Sequence, residues 1–210
     1  MMEKKVAIFD VDKTLIRNDS MFQFVWYGIR KKPLTAFNLL AIGWKTALYK
    51  LNLISVEEVK ASFFYAIRFF SEAELEEFYD SVLEPNLYGD ARKELKRRKE
   101  SGCHVLLVTA SPHAYMKYFK KLPDVDEVIG TELACSNGRY TNRIVGGNCK
   151  GDEKAVRIHR YLQEAGIRID YEHSAAYSDS LSDMPMFLLV KNRYLINQYS
   201  PELEELRWKS

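Results

Sequence analysis

The stretch VAIFDVDKTLI (6–16) ends a run of strand-forming residues in two carboxylates one position apart, Asp10 and Asp12. Acids this close repel each other, and a strand end gives little solvent relief. They are either solvated turn residues or the flanks of something positive. Other apolar runs also end in reactive side chains. VLLVTAS closes on Thr109 and Ser111, AAYS is followed by Asp179, and Asp183 stands one helical turn further on. Thr14 lies just past the first pair, and Lys150 and Lys154 open a helical pattern at i and i+4. Each is ordinary alone: Asp-x-Asp marks a turn or cap, Asp179 and Asp183 can answer a helix dipole, and Thr suits a strand end. Gathered at the ends of separate strands, they form one rim of acids, hydroxyls and lysines. A pocket of Asp10, Asp12 and Asp179 is tolerable around a hard divalent cation. Oxygen-only ligands with retained waters point to magnesium rather than zinc. Beside such a cation the Asp10 carboxylate can approach a phosphate, while a lysine, a hydroxyl and backbone N–H groups hold the other oxygens.

The elements that must position these groups follow from periodicity. KKVAIFD (4–10), CHVLLVTAS (103–111), DEVIGTEL (126–133), HSAAYSDS (173–180) and RYLINQ (193–198) read as strands, and CSNGRYTNRIVGG (135–147) as a hairpin around Asn-Gly. From Asp19 to Glu84 the pattern is helical, with Asp19, Ser55 and Ser71 as N-caps. Ser55 and Ser71 have Glu58 and Glu74 at capping-box spacing, and Pro33 suits a helix start. Helices alternating with apolar strands predict an α/β fold, a Rossmann-like parallel sheet with helices on both faces and ligands beyond the carboxyl ends of its strands. An all-helical cap is inserted after the first strand. The division is 1–16 with 86–210 for the core and 17–85 for the cap.

The totals narrow the classes. The 210 residues are 47% hydrophobic and 29% charged with net charge +2, the profile of a soluble globular protein. The one basic block, KELKRRKE (93–100), suits the wet face of a helix, so no nucleic-acid partner is expected. Three widely spaced cysteines form no CxxC pair and support neither a disulfide framework nor a zinc site. The N-terminus runs straight into a strand and lacks a signal-peptide pattern. PLTAFNLLAIGW (33–44), at roughly 12 residues, is too short to cross a bilayer. A cytoplasmic protein is expected, with peripheral membrane contact as the alternative.

DVDKTL (10–15), LLVTASP (106–112), CKGDEKA (149–155) and YSDSLSDMP (177–185) resemble, in order, the four motifs of the haloacid dehalogenase-like phosphohydrolases. The helical insert after the first motif is similar to that of the phosphoserine-phosphatase-like branch. The resemblance implies two-step phosphoryl transfer: Asp10 as nucleophile, and Asp12 as general acid on the leaving oxygen, then as base on water. It implies magnesium on Asp10, the main-chain carbonyl of Asp12, and Asp179, and phosphate on Thr109, Ala110 and a lysine. Lys154 fits the motif wording better than Lys150. Thr14 and Asp183 are implied in support, Asp183 orienting the lysine or a metal-bound water. Lys13, between the two acids, should point away from the pocket if strand alternation persists.

The insert bears on the leaving group. Asp19 and Lys60, with Arg68 nearby, are the candidates for pairing with an amino-acid head, although no bidentate arginine is evident for a carboxylate. Its many aromatics read first as the core of a small helical bundle, and second as a lipid-docking surface. RKKPLTAFNLL is similar to the matching stretch of phosphatidylglycerophosphatase C-type proteins. The expected substrate is therefore a small phosphorylated metabolite or a lipid phosphate. A non-catalytic phosphate-binding protein and a phosphotransferase to an alcohol are the rival readings.

Overall fold

A strand covered on both faces must be apolar at every position, and Val6–Phe9 (β2), entered through the short Met2–Lys4 (β1), is buried throughout. The computed structural model describes residues 1–209, apart from the side chain of Glu57. After β2 come Ser20–Lys31 (α1), Asn38–Lys50 (α2), Val56–Phe63 (α3), Glu72–Phe78 (α4) and Gly89–Glu100 (α5). Strands and helices then alternate. His104–Pro112 (β3), His113–Met116 (α6) and Glu127–Thr131 (β4) precede the hairpin of Leu133–Ser136 (β5) and Arg139–Ile144 (β6). Asp152–Glu164 (α7), Ile167–Ile169 (β7), Ala175–Ser178 (β8), Met184–Phe187 (α8), Asn192–Ile196 (β9) and Glu204–Leu206 (β10) complete the described chain.

The central sheet is parallel in the order β10-β9-β8-β2-β3-β4. Its side chains divide by the two-residue period. Ala7, Phe9, Val105, Leu107 and Tyr177 join one core cluster with Ala91 and Leu95 of α5. Val6, Ile8, Leu106, Val108 and Ala176 join the other with Ile158 of α7 and Phe187 of α8. The chain runs outward from β2 through β3 to β4, then returns to β8 on the other side of β2. That reversal opens a crevice at the carboxyl ends of β2 and β8.

The expected α/β architecture is present, with local corrections. The strand read over 4–10 is β2 in the main sheet, and a short strand not expected, β1, precedes it and pairs with β7. The short strands β7 and β10 lack the apolar runs that marked the others. The hairpin turns on Asn137-Gly138, both at positive φ (51° and 72°), as its right-handed twist requires. Both capping boxes form, Ser55 with Glu58 and Ser71 with Glu74. The helix read from Pro33 begins as a 3-10 turn over Pro33–Phe37. No helix among the described residues is long and apolar enough to cross a membrane.

The helical insert does not build a core of its own. Phe24 of α1 packs against Phe70 and Phe78 of the insert and stacks on Tyr115 of α6, at ring-centroid distances of 5.3, 5.0 and 5.1 Å. These rings are continuous with the cluster on one face of the sheet. Gly130 makes room for α6 to sit there, since a Cβ at that position would lie 2.9 Å from the His113 backbone.

Candidate active site

The crevice is a cleft of about 340 Å³, and five acids and four lysines line it: Asp10, Asp12, Asp19, Asp179 and Asp183 with Lys13, Lys60, Lys150 and Lys154. Asp10 directly follows β2. Its Oδ1 accepts from Lys154 Nζ at 2.5 Å and its Oδ2 from the Thr14 hydroxyl at 2.9 Å. Lys154 is buried and also donates to Asp183 Oδ2 at 2.7 Å, which accepts from the Ser178 hydroxyl as well. Burial pushes the Asp10 carboxyl up to about 7 against the pull of Lys154, with Asp183 and Asp12 adding to the rise. Lys154 is driven the other way from the usual fate of a buried lysine. Desolvation opposes its charge, but Asp10 and Asp183 outweigh it and raise its pKa.

Thr14 ties the two strand ends together. Its hydroxyl donates to Asp10 and accepts the Asp179 N–H at 2.9 Å. Burial pushes the Asp179 carboxyl up, with Lys13 and Lys154 pulling the other way. Asp12 is held by other donors. Its Oδ1 accepts the Ser20 N–H at 2.7 Å, and its Oδ2 accepts the hydroxyls of Ser111 and Thr109 at 2.7 and 3.2 Å. Asp12 thus lines the same cleft as Asp10 and Asp179, with its carboxylate held by donors from β3 and α1. Among the described residues no three His, Cys, Asp or Glu side chains cluster to hold an ion. Two carboxylates, with main-chain and water oxygens for the rest, form a donor set for a hard cation that keeps part of its hydration.

The two lysines separate. Gly151 at φ +58° precedes α7, so Lys150 lies outside the helix and exposed at the cleft rim, while Lys154 is in its first turn and buried. They do not share a helix face as their spacing suggested. Lys13 corrects a second expectation. It sits at φ +59° in the turn after β2, where strand alternation has ended, and lines the cleft. Ala110 lines it too, with its carbonyl accepting from Thr131 at 2.8 Å.

From the insert, Asp19 caps α1 by accepting the Met21 and Phe22 N–H groups on Oδ1. Its Oδ2 has no partner among the described residues, and burial, then Asp12, raises its pKa. Lys60 of α3 reaches across to Asn148 Oδ1 at 2.8 Å and the Ala110 carbonyl at 3.4 Å. Burial and the neighbouring Lys150 lower its pKa to about 8. Arg68 is exposed, stacked over Tyr65, and does not line the cleft. Ser20 and Asn148 were missed by sequence reasoning. Ser20 adjoins a recognisable N-cap, yet its contact with Asp12 depends on how the insert folds back.

A family model described as haloacid dehalogenase-like hydrolase matches residues 7–188. The chain belongs to that family. Among its relatives, a histidinol-phosphatase of Neisseria meningitidis is 26% identical over 215 residues, covering 98% of this chain and 97% of that protein. Phosphoserine phosphatase SerB1 of Mycobacterium tuberculosis is 28% identical over 91% of this chain, which spans 64% of that longer protein. Solved structures share the fold. A Bordetella pertussis protein of unknown function superposes with TM-score 0.82 at 23% identity, over 98% of this chain and 99% of the other. A substrate-bound phosphoserine phosphatase complex does so with TM-score 0.66 at 17% identity, over 97% and 90%.

Proposed function

We propose that this haloacid dehalogenase-like hydrolase cleaves a phosphomonoester through an aspartyl-phosphate on Asp10. The carrying observation is the buried Lys154 ammonium held between Asp10 and Asp183, in a cleft shared with Asp12 and Asp179. An Asp10 oxygen attacks phosphorus and the bond to the leaving-group oxygen breaks. Asp12 gives that oxygen its proton. Water then attacks the acyl phosphate, Asp12 takes its proton, and phosphate departs with Asp10 restored. Lys154 fixes the Asp10 carboxylate and answers charge on the transferring oxygens, aided by the backbone at Ala110, whereas Thr109, expected on the phosphate, is fully buried and gives its hydroxyl proton to Asp12. Ser20, Ser111 and Thr109 aim Asp12.

The cleft has one more acid than base, so a phosphate dianion deepens its negative excess unless a cation comes with it. Asp10, Asp179 and the main-chain carbonyl of Asp12 would hold magnesium, which when bound neutralises phosphate charge next to the nucleophile. Asp183 supports Lys154, and Thr14 supports Asp10 and Asp179. Residues 17–85 act as the cap over this core.

For the leaving group, the names of the two relatives describe phosphates of amino alcohols, which share an ammonium near the phosphate ester. The open Oδ2 of Asp19 suits that ammonium, and Lys60 suits a carboxylate if the substrate has one. A lipid phosphate is the second reading, favoured by the solvent-exposed apolar side chains on the outer face of the cap. The test is hydrolysis of an aryl phosphate, which should vanish in Asp10→Asn and on chelation. A panel of phosphoserine, histidinol phosphate, glycerol phosphate and lipid phosphates should then rank the leaving groups, and amine-bearing esters should lose their advantage in Asp19→Asn. Unchanged hydrolysis in Asp10→Asn would overturn the mechanism. A folded, metal-binding protein inactive on the whole panel would make it a non-catalytic phosphate binder, and phosphate transfer to added glycerol would make it a phosphotransferase.

A further inference from the structure

The helix α2 is amphipathic in no useful sense for a soluble fold: none of its residues is buried. Large apolar side chains of the helix and of the residues flanking it are exposed along one stripe. Phe37, Leu40, Trp44 and Leu51 recur at helical spacing with 74, 77, 67 and 67% of their surface in solvent. Leu34, at 81%, continues the stripe toward an apolar groove of about 360 Å³ that Lys32, Tyr65 and Phe69 also line. Side chains of this size, contiguous and unpartnered, mark a surface that is covered in use.

The charge around the stripe identifies the cover. From Ser20 to Val56 the sequence has no acidic residue, while Arg30, Lys31, Lys32, Lys45 and Lys50 lie among the apolar ones. Lys31 and Lys32 reach Glu77 and Glu74 on α4, and the segment itself offers no acid to the others. A second copy docking by the same face would set basic surface against basic surface. An anionic bilayer has the opposite sign and accepts both apolar side chains and the basic rim at its headgroups.

We propose that the outer face of the cap, centred on the Phe37–Leu51 stripe, binds anionic lipid bilayers peripherally. The proposal is independent of the catalytic assignment, because none of its residues touches Asp10 or the groups around it.

The test is flotation with vesicles of phosphatidylcholine alone and of phosphatidylcholine mixed with phosphatidylglycerol. Trp26 and Trp44 are exposed and Trp208 is buried, so a blue shift in tryptophan emission reports mainly on the cap. Binding should require the anionic lipid, weaken with salt, and shift the emission. Lys45→Glu with Lys50→Glu should weaken it on the order of tenfold. Phe37→Ser with Leu40→Ser and Trp44→Ser should abolish it. Both variants should hydrolyse a soluble aryl phosphate as the parent does. Asp10→Asn, inactive, should still float, which separates this inference from the catalytic one. Absence of flotation at low salt, or flotation indifferent to the triple substitution, overturns the proposal. So does a dimer in light scattering that the triple substitution dissolves, since the stripe would then be an interface between copies.

Discussion

Two apolar stretches of the chain meet opposite fates. VLLVT in β3 is buried at every residue, sandwiched between α5 on one side and α7 on the other. PLTAFNLLAIGW, of similar apolar character, leaves Leu34, Phe37, Leu40 and Trp44 in solvent. The difference is not one of composition but of partners. A central strand is covered on both faces by the same chain, whereas α2 packs on α3 by its inner side and has nothing outside it. Burial on one side of the molecule fixes the geometry of charged groups at the carboxyl ends of the central strands; on the other side the apolar surface stays exposed.

The contrast can be broken most severely at its buried, charged end. Asp10→Asn should cut turnover of an aryl phosphate on the order of 10⁴-fold while the thermal midpoint shows the fold intact. Lys154→Met leaves Asp10 and Asp183 buried without their cation and should cost about 3–5 kcal/mol in denaturant unfolding, together with activity. Phe24→Ala, in the aromatic layer that joins cap to core, should cost about 3–4 kcal/mol by the same measurement, since a buried ring leaves a cavity.

Lys60 provides a pH test. Its folded pKa of about 8 lies below the ordinary 10.5, so the folded state binds fewer protons than the unfolded one between those values. Stability should rise with pH through that window, and the charged form present below pH 8 is the one burial disfavours. Any leaving group that relies on the ammonium should therefore show KM rising above about pH 8, severalfold, and Lys60→Arg should remove that alkaline limb. At the smallest end, Trp44→Ser on the exposed stripe should change stability by no more than about 0.5 kcal/mol. A larger loss would mean that α2 is packed after all.

How much of this was legible before folding varies by residue. Asp10 and Asp179 directly follow strands that announce themselves as unbroken apolar runs, so their convergence followed from the parallel topology alone, while Thr109 lies inside β3, which runs on to Pro112. Lys154 could be chosen over Lys150 only by resemblance. The structure separates them through Gly151, whose positive φ places Lys150 before the helix and Lys154 inside it. Lys13 was misread because alternation was carried one residue beyond the strand. Ser20 and Asn148 gave no local sign, since what they contact lies on other segments of the chain.

The sequence by itself determined the alternation of strands and helices, the caps of α1, α3 and α4, and which acids stand at strand ends. These depend on short-range periodicity and on backbone groups only a few residues away. Tertiary structure decided which way each acid turns: Asp10 to Lys154 and Thr14, Asp12 to Ser20 and β3, Asp179 into the cleft. It also decided which aromatics of the insert become core and which stay in solvent. Both outcomes depend on neighbours distant in the chain, and only the packed sheet and cap bring those within a few ångströms.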